Sequence, residues 1–382
     1  MNESLKALLE HLSERVSVEA AREKRERFKR SLRYEETDRP PVICSYPLEP
    51  EFPWQPFPHR EIFDDPAKML YNELIHAFET SITYQDRVGD DLPFTIRANF
   101  GTIVIASLLG GHAEFRGDDP PWVIPFDSKE ELNSVLERDP DTADVHGIGE
   151  RVMETYHFYR ETLAEYAELE EVIHVVLPDT QSPMDSAELL RGSDLFLDFY
   201  EDPEFVSTLL GQVAATQQSY LRRVKPLTRD DGDGFSHQHA TMLKGNVLLR
   251  DDTTIMVSPE MYREIVAPRD EAVLSAVGGG GIHSCGTMEQ LADSYLSLPS
   301  LKSIDFGQSE LNDVDAIYAK ARGKGVPLIR VAASREELIT GAILDRFPTG
   351  VTLIYRAPSM KDAAEVMTRY KVAAEKAAAG RV

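Results

Sequence analysis

Cysteine is scarce in this chain, with Cys44 and Cys285 the two among 382 residues. Two thiols cannot build a disulfide framework, so a reducing, cytoplasmic setting is expected. Basic residues are also few, 41 Lys and Arg against 65 Asp and Glu, for a formal net charge of −24. A surface so acidic repels phosphate backbones and anionic lipid, which counts against nucleic acid and membrane as partners. No apolar run is long enough to span a bilayer. The N-terminal stretch reads as a charged helix without an apolar h-region, so no signal peptide is expected. Nucleotide motifs are missing as well: there is no Walker pattern and no glycine-rich turn after the first strand, where the chain reads "CSYPLEPEFPWQPFP".

What is present is an alternation of short β-rich runs with longer helical patterns. Strands are expected at 41–46, 92–99, 172–179, 234–240, 281–285, 301–307, 327–333 and 351–357. Each is rich in β-branched or aromatic residues and bounded by turn residues. Between them, "DPEFVSTLLGQVAATQQSYLRRV" opens on an acidic cap and a proline, and "SPEMYREIVAPRDEAVLSAVG" opens on Ser-Pro-Glu. Pro268 should kink or divide the second of these. Eight strands alternating with helices is the count of a (β/α)8 TIM barrel; a doubly wound open sheet is the alternative. The expected organisation is an N-terminal helical extension over 1–40 and one barrel domain over 41–382. The long insertion over 100–171, after the second strand, suits a lid or wall. The four glycines at 278–281 precede a strand, so they read as a helix end and turn and not as a phosphate cradle.

In a barrel, function sits at the C-terminal strand ends. Those ends carry Cys44 and Tyr46, Arg97 and Asn99, Asp179 and Gln181, His237 and His239, His283 and Cys285, Asp305, Arg330, and Tyr355 and Arg356. Alternation puts residues i and i+2 on one strand face, so His237 pairs with His239 and His283 with Cys285. If the two strands are neighbours, His239, His283 and Cys285, with Asp305 from the next strand, form a candidate zinc-type set. The competing reading is an organic pocket in which His237, His239 and His283 bind substrate or move protons. Arg97, Arg330 and Arg356 are candidates for a substrate carboxylate or for pairing with Asp179 and Asp305. Asn99, Asp179 and Tyr355 join them as substrate-binding candidates, and Asp91 and His237 are the candidate proton carriers. Cys44 reads as a third soft ligand or as buried packing.

Several segments together resemble the uroporphyrinogen decarboxylase superfamily. They are "RERFKRSLRYEETDRPPV" (25–42), "VGDDLPFTIRANFGT" (88–102), "DTQSPMDSAELLRGSDLFLDFYEDPEFVSTLL" (179–210), "DDTTIMVSPEMYREIVAPRDEAV" and "IHSCGT". The resemblance implies a (β/α)8 barrel. The arginine-rich stretch of true decarboxylases is replaced by "ICSYPLEPEFPW", and their glycine-histidine element by "LIYRAPSMKD", which counts against porphyrinogen decarboxylation. The zinc-dependent methyltransferase branch is the better match, with His283, Cys285 and Asp305 at its ligand positions. Its last cysteine is missing, since Arg356 or Ala357 stands there, and His239 or His237 is the expected replacement. That branch implies methyl transfer between a small-molecule donor or corrinoid and an acceptor. The corrinoid would arrive on a separate carrier protein, and members often form homodimers. The alternatives are a metal-free decarboxylase or lyase on a small carboxylate, and a non-enzymatic sensor or partner protein.

Overall fold

The computed structural model describes residues 3–47, 54–75, 88–230, 232–238 and 240–379. Helix α1 (Glu3–Ser13) carries Leu5, Leu8, Leu9 and Leu12 at helical spacing, and all four are fully buried. Helix α2 (Val18–Leu32) starts at Ser17, whose side chain accepts a hydrogen bond from the Ala20 N–H.

Twelve strands follow among the described residues. They are β1 (Val42–Ser45), β2 (Thr95–Arg97), β3 (His112–Glu114), β4 (Trp122–Ile124), β5 (His174–Val176) and β6 (Phe235–Gln238). The rest are β7 (Thr241–Lys244), β8 (Leu248–Arg250), β9 (Gly280–Ser284), β10 (Leu301–Phe306), β11 (Leu328–Ala332) and β12 (Val351–Arg356). Six of them form one parallel sheet in the order β1-β12-β11-β10-β9-β8. β2 and β5 form a second parallel pair, while β3–β4 and β6–β7 are antiparallel hairpins. Single backbone bonds tie the pair to both edges of the sheet. Arg250 N donates to Thr180 O at 2.9 Å and Ser182 N to Arg250 O at 2.6 Å on one side; Asp91 N donates to Val42 O at 2.8 Å on the other. Read through these links, the parallel strands follow chain order around the sheet, and their C-terminal ends lie together.

The segment 234–240 is a correction to the sequence-based expectation. It forms β6, as a strand should, but β6 turns back on β7 and lies outside the parallel sheet. The place beside β9 belongs to β8, with Arg250 opposite His283. β8 is three residues long and buried throughout, so it shows no apolar–polar alternation by which to be recognised.

The N-terminal strand ends are stoppered. Phe28 and Leu32 of α2, Ile43, Ile329, and Phe235 and Met242 of the hairpin pack as one apolar cluster. Ser31 Oγ donates to Val351 O at 2.8 Å, and Lys244 N donates to Ser303 Oγ at 3.0 Å. Pro268 has a visible effect: the helix around it carries a π-helical turn at Tyr262–Val266 before resuming at Ala267–Ala276. The glycines at 278–281 do more than end that helix. Gly278 and Gly279 hold positive φ (82° and 99°), and a Cβ on Gly280 would stand 2.4 Å from Val247 O, so β9 can approach β8 only as glycine. The insertion over 100–171 is mostly helical, with the β3–β4 hairpin beside the strand ends.

A candidate metal centre at the C-terminal strand ends

His283, the fourth residue of β9, is buried, and Cys285 follows the strand directly. Across from them, β8 runs into Asp251 and Asp252. Asp185 holds that turn, accepting from Asp252 N and Thr253 N at 2.9 Å each. Cys285 N donates to Asp252 Oδ1 at 2.7 Å, so the carboxylate and the thiol are tied to one short segment. Cys285 Sγ lies 3.5 Å from His283 Nε2, and that same nitrogen lies 3.5 Å from Asp252 Oδ1. Ligands about 2.0 to 2.3 Å from a tetrahedral zinc stand roughly 3.3 to 3.8 Å apart, so these two distances suit a ligand set, and all three atoms lie within 4.8 Å of one another. Gly307 leaves room for the sulfur, since a Cβ there would come within 2.6 Å of Sγ.

The other imidazole nitrogen is fixed from behind. His283 Nδ1 meets Asp305 Oδ2 at 2.8 Å, which selects the tautomer that turns the Nε2 lone pair toward Cys285 and Asp252. Asp305 is fully buried and also accepts from Arg330 Nε at 2.7 Å and from Arg330 Nη2. Burial alone would raise its carboxyl. The Arg330 charge and the hydrogen bonds from His283 and Arg330 outweigh that and hold it well below the usual carboxylate range. Arg330 reaches it from a strained backbone, with φ 58° and a register shift between Leu328 and Val331. The Cys285 thiol is pushed up to about 12, first by burial and then by the Asp252 charge. Left alone it stays protonated, and a cation among the three groups would reverse that.

Of the expected ligands, the structure therefore brings His283 and Cys285 together and places Asp305 behind the histidine as its orienting partner. Asp252 was missed. The "DD" at 251–252 reads as a turn pair in sequence, and recognising β8 just before it would have marked it as a strand end. His239 lies outside the described residues.

His237 and Asp91 sit at the opposite, N-terminal ends of the strands, which corrects the expected place of His237 at the mouth. His237 stacks on His174, the first residue of β5, with ring centres 3.5 Å apart and planes 20° apart. Asp230 stands 3.7 Å from His237 Nδ1. The three groups lie within ligand distance, yet lone pairs lie in the ring planes, and two nearly parallel stacked rings cannot aim at one ion. Burial, then the neighbouring His237 and Arg25 charges, keep His174 well below its ordinary pKa, so it is neutral. Asp91 is an ion-pair partner: it accepts from Arg27 Nη1 at 2.8 Å, Arg39 Nη2 at 3.0 Å, Arg39 Nη1 and Val42 N at 3.0 Å. Cys44, also expected near the mouth, is buried beside Asp90, and burial raises its thiol strongly.

The remaining candidates divide. Arg97 Nη1 donates to Asp179 Oδ2 at 3.1 Å, Gln181 Nε2 to Asp179 Oδ1 at 3.0 Å, and Asn99 Nδ2 to Glu73 Oε1 at 2.8 Å. Arg97, Asn99 and Asp179 line a cavity of about 430 Å³ whose other walls include Phe63, Phe100, Pro120 and Trp122. Tyr355 spends its hydroxyl on Asp362, and Arg356 is half exposed with Glu310 Oε1 at 3.3 Å.

No protein-family model matches the chain, and no curated protein matches it in sequence. In fold it is similar to a methyltransferase from Methanosarcina mazei, with a TM-score of 0.58 over 92% of this chain and 98% of that one, at 13% sequence identity. No helix among the described residues is long and apolar enough to cross a membrane.

Proposed function

We propose that the chain is a (β/α)8 barrel enzyme of the methyltransferase type that holds zinc at Asp252, His283 and Cys285. The observation that carries this reading is the spacing of the three ligand atoms, with His283 Nδ1 held by Asp305. The fold likeness to a methyltransferase supports it, as does the resemblance of "IHSCGT" to the zinc-dependent branch. Asp252 takes the part of the ligand that the branch draws from its last strand. Zinc, when bound, acts as a Lewis acid that keeps Cys285 a thiolate and lowers the pKa of a thiol acceptor. The chain's own residues do the rest. Asp305 and Arg330 fix the imidazole, Asp185 fixes the Asp252 turn, and the cavity beside Arg97, Asn99 and Asp179 aligns the methyl donor with its acceptor. A corrinoid, if it is the donor, comes on a separate carrier protein docking at the strand ends. The carboxylate-lyase reading gains no support from Asp91 or His237, which lie far down the strands.

The test is the zinc content of untagged protein purified without added metal or chelator. The parent should hold close to one zinc per chain. Cys285→Ser and Asp252→Asn should each lose most of it, and His237→Gln should keep it. Zinc-loaded parent, but not Cys285→Ser, should speed the demethylation of methylcobalamin by an added thiol. A parent that neither carries zinc nor takes it up sinks the metal reading.

A further inference from the structure

Arg250 is the last residue of β8 and stands opposite His283 in the parallel ladder. Only 6% of it is exposed, yet its Nε and Nη2 are buried without a hydrogen-bond partner. Asp179 pairs with it loosely, with Oδ1 3.5 Å from Nε, and Asp179 already accepts from Arg97 and Gln181. A buried guanidinium with unmet donors is costly, by several kcal/mol on general grounds, and such a group ordinarily marks where a ligand belongs. The other arginines here are engaged: Arg330 bonds Asp305 through Nε and Nη2, and Arg97 bonds Asp179.

Arg97 and Arg330 stand near Arg250 as like charges, with Asp179 and Asp305 as the carboxylates that face them. The guanidinium fork matches a carboxylate in geometry as well as sign. The cavity that Asp179 shares with Arg97 has an aromatic wall, with Phe63 and Phe100 edge-to-face at 5.0 Å and Trp122 nearby.

We propose that Arg250 is a substrate anchor, and that the molecule worked on at this site is a small carboxylate with an apolar body. Its carboxylate lies on Arg250, with Arg97 alongside, and its apolar part faces the Phe63–Phe100 wall. The proposal rests on the strand mouth being the working site and adds the class of substrate to it. Because Arg250 and His283 are ladder neighbours, the anchored carboxylate sits beside the metal triad and sets which end of the molecule faces it.

The experiment is calorimetric titration of full-length, zinc-loaded protein with benzoate and propionate, with benzamide as the neutral counterpart of benzoate. Benzoate should bind saturably in the millimolar range or tighter, propionate more weakly, and benzamide not at all. Arg250→Met should weaken benzoate at least about tenfold, the size of one or two charge-assisted hydrogen bonds. Arg250→Lys, which keeps the charge without the fork, should recover part of it. Arg250→Met should also melt no lower than the parent, since an unmet buried charge is replaced by an apolar chain. Equal benzoate affinity in Arg250→Met, equal binding of benzamide, or no saturable binding of either acid overturns the proposal. So does a large fall in Tm in both variants with benzoate binding kept. Zinc is measured on the same samples. Benzoate binding lost from a fully zinc-loaded parent fails the anchor alone; zinc absent with Arg250-dependent benzoate binding intact fails the metal reading alone.

Discussion

The two ends of the parallel strands carry nearly the same side chains and do opposite things with them. At the N-terminal end, His174, His237 and Asp230 come together; at the C-terminal end, His283, Cys285 and Asp252 do. The first set stacks its rings face to face, so its lone pairs run parallel. The second brings Nε2 within 3.5 Å of both Sγ and Oδ1 and braces the imidazole from behind with Asp305. The charged groups around them differ in the same way. Asp91, at the closed end, has its charge met by Arg27, Arg39 and a backbone N–H. At the open end Arg250 keeps donors unmet. Residue type alone does not make a site: convergence and unmet bonding capacity do.

The contrast can be broken most strongly at the closed end. Asp91→Asn removes the anion that two buried or half-buried arginines share, and breaking such a pair costs about 3–5 kcal/mol. Denaturant unfolding should show this loss while zinc content is unchanged. The parent should also have an acid limb that the variant lacks. Burial opposes ionisation of Asp91, but the Arg39 charge and hydrogen bonds outweigh it and bring it down to about 2. A depressed folded-state pKa stabilises the protein above the unfolded value near 4 and gives that stability up as pH falls through about 2.

A smaller effect sharpens the open end. Asp305→Asn leaves Asp252, His283 and Cys285 in place, but weakens the grip on His283 Nδ1 and removes the anion that Arg330 bonds. Zinc affinity in competition with a chelator should fall about tenfold to a hundredfold, as for other orienting partners of metal-bound histidine. An unchanged affinity would detach Asp305 from the site. The smallest effect is expected for Arg356→Ala on the rim. Its half-exposed pair with Glu310 is worth under about 1 kcal/mol, and zinc content should not change.

Much of this was legible in the sequence. Seven of the eight expected strands lie in the parallel sheet or the β2–β5 pair, because each is long enough or β-branched enough to stand out between turns. The eighth failed through competition. "GFSHQHA" has the composition of a strand and forms one, but its pairing partner is the strand right after it, which no local pattern announces. The three-residue β8 went unseen in consequence, and with it Arg250 and Asp252, the two mouth residues that sequence reasoning did not name. His283 and Cys285 were legible because i, i+2 spacing on one strand is a local property. The carboxylate that completes the candidate set comes from another strand, and only the register of β8 against β9 brings it in.

The stopper at the closed end also has a consequence for how the chain reaches its native state. Ser31 bonds to Val351, Gly350 N donates to Ser31 O, and Tyr370 reaches back to Pro40. These contacts join segments more than 300 residues apart in sequence. Helix α2 is fully seated only when a strand about 320 residues further along the chain is in place. Contacts of such high sequence separation form slowly. Until then Phe28 and Leu32 of α2 can pack on nearby Ile43 but lack Phe235, Met242 and Ile329, so the stopper is completed late in folding.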